Sequence, residues 1–162
     1  MPESPLSIRN DASLAPSGAA LARVAVLAPL AEARLDALAA RCQWRRLAPW
    51  ESLDLGDAAA DAAHLLVAGR VRLSLRAADG AQVDLQDIEG GGLFGEWAAP
   101  EAVVRPQAEG VALSSCLVAT LDGADFRALL AAEPQVALRC ARSLAAQVRQ
   151  LSEQVLSLHA AH

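Results

Sequence analysis

A glycine-rich stretch near the middle of the chain has the residue types of an anion-binding site. The segment 92–96, with the sequence GLFGE, is followed nine residues after Glu96 by Arg105. Glycine lets the backbone approach a ligand closely, and a short helix expected over 97–99 would present unpaired N–H groups to an anion. The Arg105 guanidinium would add charge-assisted hydrogen bonds. These residues therefore predict a binding site for a small anion.

The chain carries no pattern typical of catalysis or of metal binding. No nucleophile–base pair stands in a recognisable context, and neither a Walker motif nor a dinucleotide-binding glycine motif is present. His64 is the only histidine in the strand-rich part, without the His-x-His of metal enzymes on barrel folds, and His159 and His162 lie at the C-terminal end. We expect a protein with no enzymatic activity, no catalytic residues, no metal and no cofactor.

Charge and composition argue against two classes of partner. The 162 residues carry 14 cations, all of them arginine, against 19 carboxylates, for a net charge of −5. Since clustered cations supply most non-specific affinity for nucleic acid, direct DNA or RNA binding is not expected. The apolar segment 18–31 is interrupted by Arg23 and Pro29 and is too short for a membrane span. With three scattered cysteines, these features predict a cytoplasmic protein that binds no membrane.

The chain divides into a tail and one domain. Residues 1–17 are rich in Ser, Pro and Ala without periodicity, and we expect a flexible tail there and a single domain over 18–162. The segment 19–41 has a helical pattern that is broken near Pro29. From about 43 to 121, short runs rich in Val and Leu alternate with turn residues, which is typical of an antiparallel barrel or sandwich.

The clearest strand pair in this part is 64–67 with 71–75. Gly69 lies between the two strands, where we expect a hairpin with positive φ. In the second strand the odd-numbered residues are expected to be buried and Ser74 to face solvent. A further turn is predicted at Gly80.

Two helices are predicted at the C-terminal end. Asp122 is expected to cap the first, and the second begins at Pro134 and ends near 159. Apolar residues of the second helix are spaced four, three, four and three apart: Leu144, Val148, Leu151, Val155 and Leu158. This heptad seam leaves two interpretations, a helix folded back on its own domain and a two-stranded parallel coiled coil. The sustained spacing favours the coiled coil, and therefore a homodimer with these five residues at its interface.

Several short motifs follow one another in an informative order and spacing. They are Pro49 and Glu51 before Gly56-Asp57, Leu66 to Gly69 with Arg70-Val71, Gly80, the segment 92–96, and Phe126 with Leu129-Leu130 and Pro134. This set resembles the cyclic-nucleotide-binding domain of the catabolite activator protein (Crp/Fnr) superfamily over about residues 22–160. The resemblance implies an α+β fold, in which an antiparallel β-roll (a double-stranded β-helix of jelly-roll type) is flanked by an N-terminal helix and a long C-terminal dimerisation helix.

The resemblance also implies a function. It implies a bacterial-type sensor that binds cyclic AMP, cyclic GMP or a cyclic dinucleotide and signals through its dimer helix to an unidentified partner protein. Glu96 would accept the ribose 2′-hydroxyl, Arg105 would hold the phosphate, and Ser152 would reach the base. The ligand-binding residues implied in this way are Phe94, Gly95, Glu96, Trp97, Ala98, Arg105, Gln107, Ala108 and Ser152.

Departures from the family pattern leave two other functions open. The family usually has Ser or Thr after its Arg, whereas Pro106 and Gln107 stand here, and proline offers neither a hydroxyl nor an N–H. The first alternative is therefore a domain that no longer binds nucleotide and acts as a dimeric interaction scaffold. Transcription factors of the superfamily continue into a helix-turn-helix, whereas this chain ends at His162. We expect a stand-alone domain, and the effector half of a regulator is the second alternative.

The individual site residues have structural alternatives as well. Glu96 can cap the N–H groups of its own segment, and Arg105 can be an exposed loop residue. Trp97 is more typical of core packing than of stacking on a ligand, and Ser152 is more typical of an ordinary polar residue on a helix face. Trp50 stands where the family usually has Gly.

Overall fold

Eight strands form two antiparallel sheets between helices at either end of the described chain. The computed structural model describes residues 13–55, 61–95 and 107–160. In chain order the elements are α1 (Gly18–Leu21), a 3-10 turn (Ala25–Leu27), α2 (Glu32–Arg41), β1 (Gln43–Leu47), β2 (Ser52–Asp54), β3 (Ala62–Ala68), β4 (Arg70–Arg76), β5 (Gln82–Glu89), β6 (Leu93–Gly95), β7 (Gln107–Ala112), β8 (Cys116–Asp122), α3 (Gly123–Ala132) and α4 (Pro134–Ala160). The strand orders are β1-β8-β3-β6 and β2-β7-β4-β5. This architecture confirms the predicted α+β class and the β-roll with its long C-terminal helix.

Strand β3 is buried along its whole length because both of its faces are covered. One face carries Ala63, Leu65 and Val67, which belong to the apolar cluster formed with the N-terminal and C-terminal helices. The other face carries Leu66, which belongs to a second cluster between the two sheets. The sheet that contains β3 therefore separates two cores, and β3 positions side chains in both.

Gly69 joins two strands that lie in different sheets, so the predicted hairpin between them is wrong. Strand β3 pairs with β6 and β8, whereas β4 pairs with β5 and β7. Gly69 does have the expected positive φ, 99°. A Cβ at this position would lie 2.5 Å from both the Cys116 Sγ and the Ser115 carbonyl oxygen. The glycine is needed for a crossing between sheets, which the alternation within each strand cannot reveal.

Ser74 is buried, against the prediction that it faces solvent. The pairing of β4 with β5 shifts register between Leu73 and Ser74, and the extra residue is Leu85 of β5. Strand β4 itself stays in regular register with β7, so its alternation is unbroken and Ser74 is covered by neighbouring side chains on the face predicted to be exposed. Ser74 is 2% exposed, and its hydroxyl accepts a hydrogen bond from the Gln82 side chain at 2.9 Å. By contrast, the turn at Gly80 that joins β4 to β5 is confirmed.

Trp50 adopts a backbone conformation that glycine normally occupies. Its φ is 71°, and the turn around it closes with a 3.0 Å hydrogen bond from the Glu51 N–H to the Ala48 carbonyl. The third residue of a type II turn requires positive φ, which favours Gly. Trp50 therefore stands at a position where the turn itself favours glycine, which is the residue that the resemblance implies there.

Asp61 attaches helix α3 to the roll and takes over the role predicted for Asp122. Asp122 occupies the position before the helix but makes no capping hydrogen bond through its side chain. Instead, the Gly123 N–H donates to the Asp61 carbonyl at 3.0 Å, and the Arg127 guanidinium pairs with the Asp61 carboxylate at 2.7 and 3.2 Å. The capping prediction is wrong because the residue before β3, distant in sequence, comes close to the helix.

Helix α4 packs on the roll only at its beginning. It has 27 residues and is therefore about 40 Å long. Val136 and Cys140 are its buried residues, and both belong to the cluster on the helix side of β3. Beyond them the helix leaves the surface of the roll. The predicted seam lies on this second part.

We expect Phe126→Ala to lower the free energy of unfolding by about 3–5 kcal/mol, because truncating a buried aromatic residue leaves a cavity. Phe126 is 0% exposed in the cluster between β3 and the helices. Urea unfolding followed by circular dichroism measures the change. Val83→Ala is the control, since Val83 is 56% exposed and its truncation should cost less than about 0.5 kcal/mol. Equal losses in the two variants would contradict this assignment of the core.

Candidate functional site

Phe94 and Gly95 form the end of strand β6, next to the middle strand of the roll. In the β3–β6 register, Phe94 lies opposite His64 and Gly95 lies opposite Ala63. Gly95 has φ 123°, and a Cβ there would overlap the Ala62 carbonyl oxygen and lie 3.2 Å from the His64 Cδ2. Only glycine fits here, because the backbone of β6 lies directly against that of β3. This close approach is between two strands of the roll, and it lies within the segment 92–96.

Three side chains on neighbouring strands of the sheet that contains β3 contact one another in a row. The Thr120 Oγ1 on β8 lies 2.9 Å from the His64 Nδ1 on β3, and the His64 ring stacks on Phe94 of β6 with centroids 5.1 Å apart. His64 is 3% exposed. Desolvation by burial lowers the pKa of His64 from 6.5 to about 4. The imidazole is therefore neutral at physiological pH, and each of its nitrogens can serve as either donor or acceptor.

A small cavity separates the roll from helix α4. It has a volume of about 90 Å³, and its walls are Leu73 of β4, Gln86 of β5, Leu93, Phe94 and Gly95 of β6, and Cys140, Ser143, Leu144 and Gln147 of α4. None of these side chains is charged. Sites for drug-sized ligands usually measure about 300–1,000 Å³, so this cavity alone is too small for a nucleotide. It does place the polar side chains of Ser143 and Gln147 on the helix opposite the segment 92–96.

The structure brings some of the predicted ligand-binding residues together and leaves others apart. Phe94 and Gly95 line the cavity. Ala108 lies on β7 of the other sheet, where its carbonyl accepts from the Leu55 N–H at 3.2 Å, and the backbone of Gln107 begins the same strand. Ser152 does not reach the cavity, since its hydroxyl donates to the carbonyl of Val148, one turn earlier in its own helix. Glu96, Trp97, Ala98 and Arg105 lie outside the described residues.

The predicted dimer residues lie along the part of α4 that leaves the roll. Val148, Val155 and Leu158 are 64%, 64% and 67% exposed, and Leu144 is 44% exposed. Leu151 is partly buried, and with its neighbours Val148, Ser152 and Val155 it lines an open groove of about 340 Å³. The seam is an unpartnered apolar stripe in the single chain. The interpretation in which the helix folds back on its own domain does not match these exposures.

Six side chains that line the cavity were not among the predicted site residues: Leu73, Gln86, Leu93, Cys140, Ser143 and Gln147. For the helical residues the sequence contained a signal, because Val136, Cys140, Ser143 and Gln147 are spaced four, three and four apart. This stripe runs beside the heptad seam and turns from apolar to polar where the roll ends. Gln86 and Leu73 had no local signal, since their position depends on the way the two sheets pack.

The described residues offer no alternative metal or membrane site. Within 13–55, 61–95 and 107–160, no group of three His, Cys, Asp or Glu side chains is arranged to hold a metal ion. No helix in these segments combines the length and the apolarity of a membrane span. Burial raises the pKa of the Cys42 and Cys140 thiols to about 11, so neither is a reactive thiolate at neutral pH.

The fold is similar to that of several solved structures. A CooA mutant from Carboxydothermus hydrogenoformans matches with a TM-score of 0.65 and 19% identity, over 82% of this chain and 84% of that chain. The catabolite activator protein of Thermus thermophilus matches with a TM-score of 0.63 and 25% identity, over 83% of this chain and 62% of that chain. Oxidized CprK in complex with o-chlorophenolacetic acid matches with a TM-score of 0.63 and 15% identity, over 79% of this chain and 53% of that chain.

These matches concern the fold over most of the present chain, which spans about three-fifths of the Thermus protein and about half of CprK. No protein-family model matches the sequence, and no curated protein matches it significantly.

The buried imidazole predicts a pH-dependent stability. Because the pKa of His64 falls from 6.5 to about 4 on folding, the unfolded chain binds the proton more readily between these values. The contribution of the neutral His64 ring to the free energy of unfolding is complete above about pH 6.5 and is lost as pH falls towards 4. We expect this group alone to lower the free energy of unfolding by about 2 kcal/mol between about pH 7.5 and about pH 5.

Urea unfolding of the wild type and His64→Phe at both pH values isolates this contribution. The variant keeps an aromatic ring against Phe94, and the carboxylates contribute equally in both proteins. An identical pH dependence in the two proteins would show that His64 does not have a lowered pKa.

Proposed function

Because the chain has the fold of the cyclic-nucleotide-binding domain of the catabolite activator protein superfamily, we propose that it is a sensor module without enzymatic activity. It binds a small anionic effector, with a cyclic nucleotide as the first candidate, and transmits binding through helix α4 to its dimer and to a partner protein. The observation that carries the proposal is the cavity bounded by Phe94 and Gly95 on one side and by Ser143 and Gln147 on the other. A ligand at this place contacts the roll and the helix together.

The cavity has polar groups but no charged side chain, so the cation that pairs with the effector must come from outside the residues that line it. Its described side chains offer the amides of Gln86 and Gln147 and the hydroxyl of Ser143. In this proposal Arg105 supplies the cation and Glu96 accepts a hydroxyl, as the resemblance implies. CprK has been solved in complex with o-chlorophenolacetic acid, which carries a carboxylate and no phosphate. The similar fold therefore supports an anionic effector more broadly than one particular nucleotide.

The seam of α4 has the composition of a parallel two-stranded coiled coil. Val148 and Val155 take the a positions of the heptad, and Leu144, Leu151 and Leu158 take the d positions. Branched residues at a with Leu at d favour two parallel strands. Four of the five are at least 44% exposed in the single chain. Since Leu144 also lines the cavity, the proposed dimer seam begins at the wall of the proposed effector site.

We expect titration calorimetry to detect binding of at least one of cyclic AMP, cyclic GMP and cyclic di-GMP to the folded protein. Glu96→Ala and Arg105→Ala should each weaken it about tenfold or more, because each removes a hydrogen bond that involves a charged group. Arg34→Ala is the control: its guanidinium pairs with Glu133 at 3.0 Å on the surface, away from the cavity. No heat with any of the three nucleotides would contradict nucleotide binding.

We expect Val148→Glu and Val155→Glu each to convert a dimer into a monomer, because each places a pair of like charges at the core of the coiled coil. Sedimentation equilibrium measures the mass. Ala146→Glu is the matched control on the outer face of the same helix turns, where Ala146 is exposed, and it should leave the dimer intact. A wild-type monomer at micromolar concentration would contradict the dimer.

The interaction scaffold is the second candidate. It is favoured by the neutral lining and the small volume of the cavity, together with Pro106 and Gln107 in place of the family's hydroxyl residue. The two functions make different predictions for the same protein. A scaffold remains a dimer and binds none of the nucleotides, whereas the sensor remains a dimer and binds at least one of them.

A further inference from the structure

His64 is a polar side chain in a place where an apolar one would pack as well. Two polar side chains are buried among the described residues, His64 and Ser74. The Ser74 hydroxyl has Gln82 as its partner at 2.9 Å. His64 has a partner for one nitrogen only, since Nδ1 meets the Thr120 hydroxyl at 2.9 Å and no described residue hydrogen-bonds to Nε2. Burial of a polar group with an unused nitrogen costs stability, so packing does not explain the choice of histidine.

The unused nitrogen lies beside Gly95. The neighbouring ring carbon, Cδ2, is 3.2 Å from the position that a Gly95 Cβ would take. In the described residues, no fully buried side-chain nitrogen or oxygen lacks a hydrogen-bond partner. Nε2 therefore keeps some contact with open space, although the residue as a whole is only 3% exposed. It is a polar atom next to Gly95, which is a wall of the proposed effector cavity, whereas His64 itself is not one of the walls of that cavity.

The neighbours of His64 orient this nitrogen. Stacking on Phe94 holds the plane of the ring, and the cross-strand pair with Thr120 holds its rotation. When the Thr120 hydroxyl donates to Nδ1, the neutral ring carries its proton on Nε2 and can donate it. The described side chains directly paired with His64 across the strands, Thr120 on β8 and Phe94 on β6, are uncharged. A hydrogen bond to an oxygen anion is therefore made in a poorly screened environment, where it is strong.

We propose that His64 is a specificity-determining residue of the effector site, donating an Nε2–H hydrogen bond to an anionic oxygen of an effector that lies against Gly95. The proposal rests on the proposed function in that an effector binds at this end of the roll. It does not require the effector to be a cyclic nucleotide. It adds a contact from His64 on strand β3 to the contacts expected from Glu96 and Arg105.

Nitrogen-detected NMR of histidine-labelled protein tests the contact directly. His64→Phe assigns the ring signals of His64 among the three histidines of the chain. The full chain is then titrated separately with inorganic phosphate, cyclic AMP and o-chlorophenolacetate, with sodium chloride at matched ionic strength as the control. We expect the Nε2 resonance of His64 to move with at least one anion and not with chloride. An Nε2 resonance unmoved by all three anions overturns the proposal.

Binding measurements on variants give a second, independent test. We expect His64→Phe, which keeps the stack on Phe94 and removes both nitrogens, to weaken the anion that binds the wild type about tenfold or more. Thr120→Val, which removes the group that orients the ring, should weaken it less. Ser74→Ala removes the other buried polar side chain and should leave affinity unchanged. If His64→Phe does not fold, His159→Gln and His162→Gln assign the His64 signals by elimination, and the titration of the wild type still decides.

The outcomes separate this proposal from the proposed function. A cyclic nucleotide that binds without moving Nε2, and equally well to His64→Phe, overturns the role of His64 and leaves the sensor intact. A shift of Nε2 with phosphate or o-chlorophenolacetate, with no binding of any cyclic nucleotide, supports His64 as an anion contact and rejects the nucleotide. If no anion produces either a heat of binding or a shift of Nε2, both proposals are rejected.

Discussion

The burial of strand β3 on both of its faces is the constraint on which the rest of the structure depends. Its seven residues are all buried, and it pairs with β8 on one side and β6 on the other. Apolar side chains on one face hold the helices, and those on the other face hold the opposite sheet. Both ends of the strand need special backbone: Gly69, where the chain leaves for the second sheet, and Gly95, where β6 lies against it. The close approach at the proposed site therefore follows from how the roll is built.

Helix α4 divides into two parts with different surroundings. Val136 and Cys140 pack under the roll, and Ser143 and Gln147 then face the cavity. Beyond them an apolar seam remains exposed in the single chain. One rigid helix therefore joins the cavity beside the roll to a surface that has no partner in the single chain. A ligand that contacts this helix in one position and not in another shifts the balance between the positions by its differential affinity, which is the physical basis of the proposed signalling.

The row of Thr120, His64 and Phe94 shows how a fold can place a polar group without help from sequence neighbours. These residues lie on three different strands, and 56 positions separate Thr120 from His64. In the sequence, His64 stands out only as a potential metal ligand, and no histidine motif surrounds it. Its position beside Gly95 depends on the pairing of β3 with β6, and no local pattern specifies which strands become neighbours.

The sequence by itself determined the features that depend on neighbouring residues and on the order of motifs. The helix from Pro134, the turn at Gly80 and the positive φ at Gly69 follow from local chemistry, and the order of the motifs identified the β-roll. Tertiary contacts determine which sheet each strand joins, that Gln82 of the neighbouring strand covers Ser74, that Asp61 replaces Asp122 at helix α3, and that Ser143 and not Ser152 faces the cavity. The reason is physical: periodicity specifies the sidedness of each element, whereas the contacts between elements depend on register and packing, which residues far apart in the chain determine together.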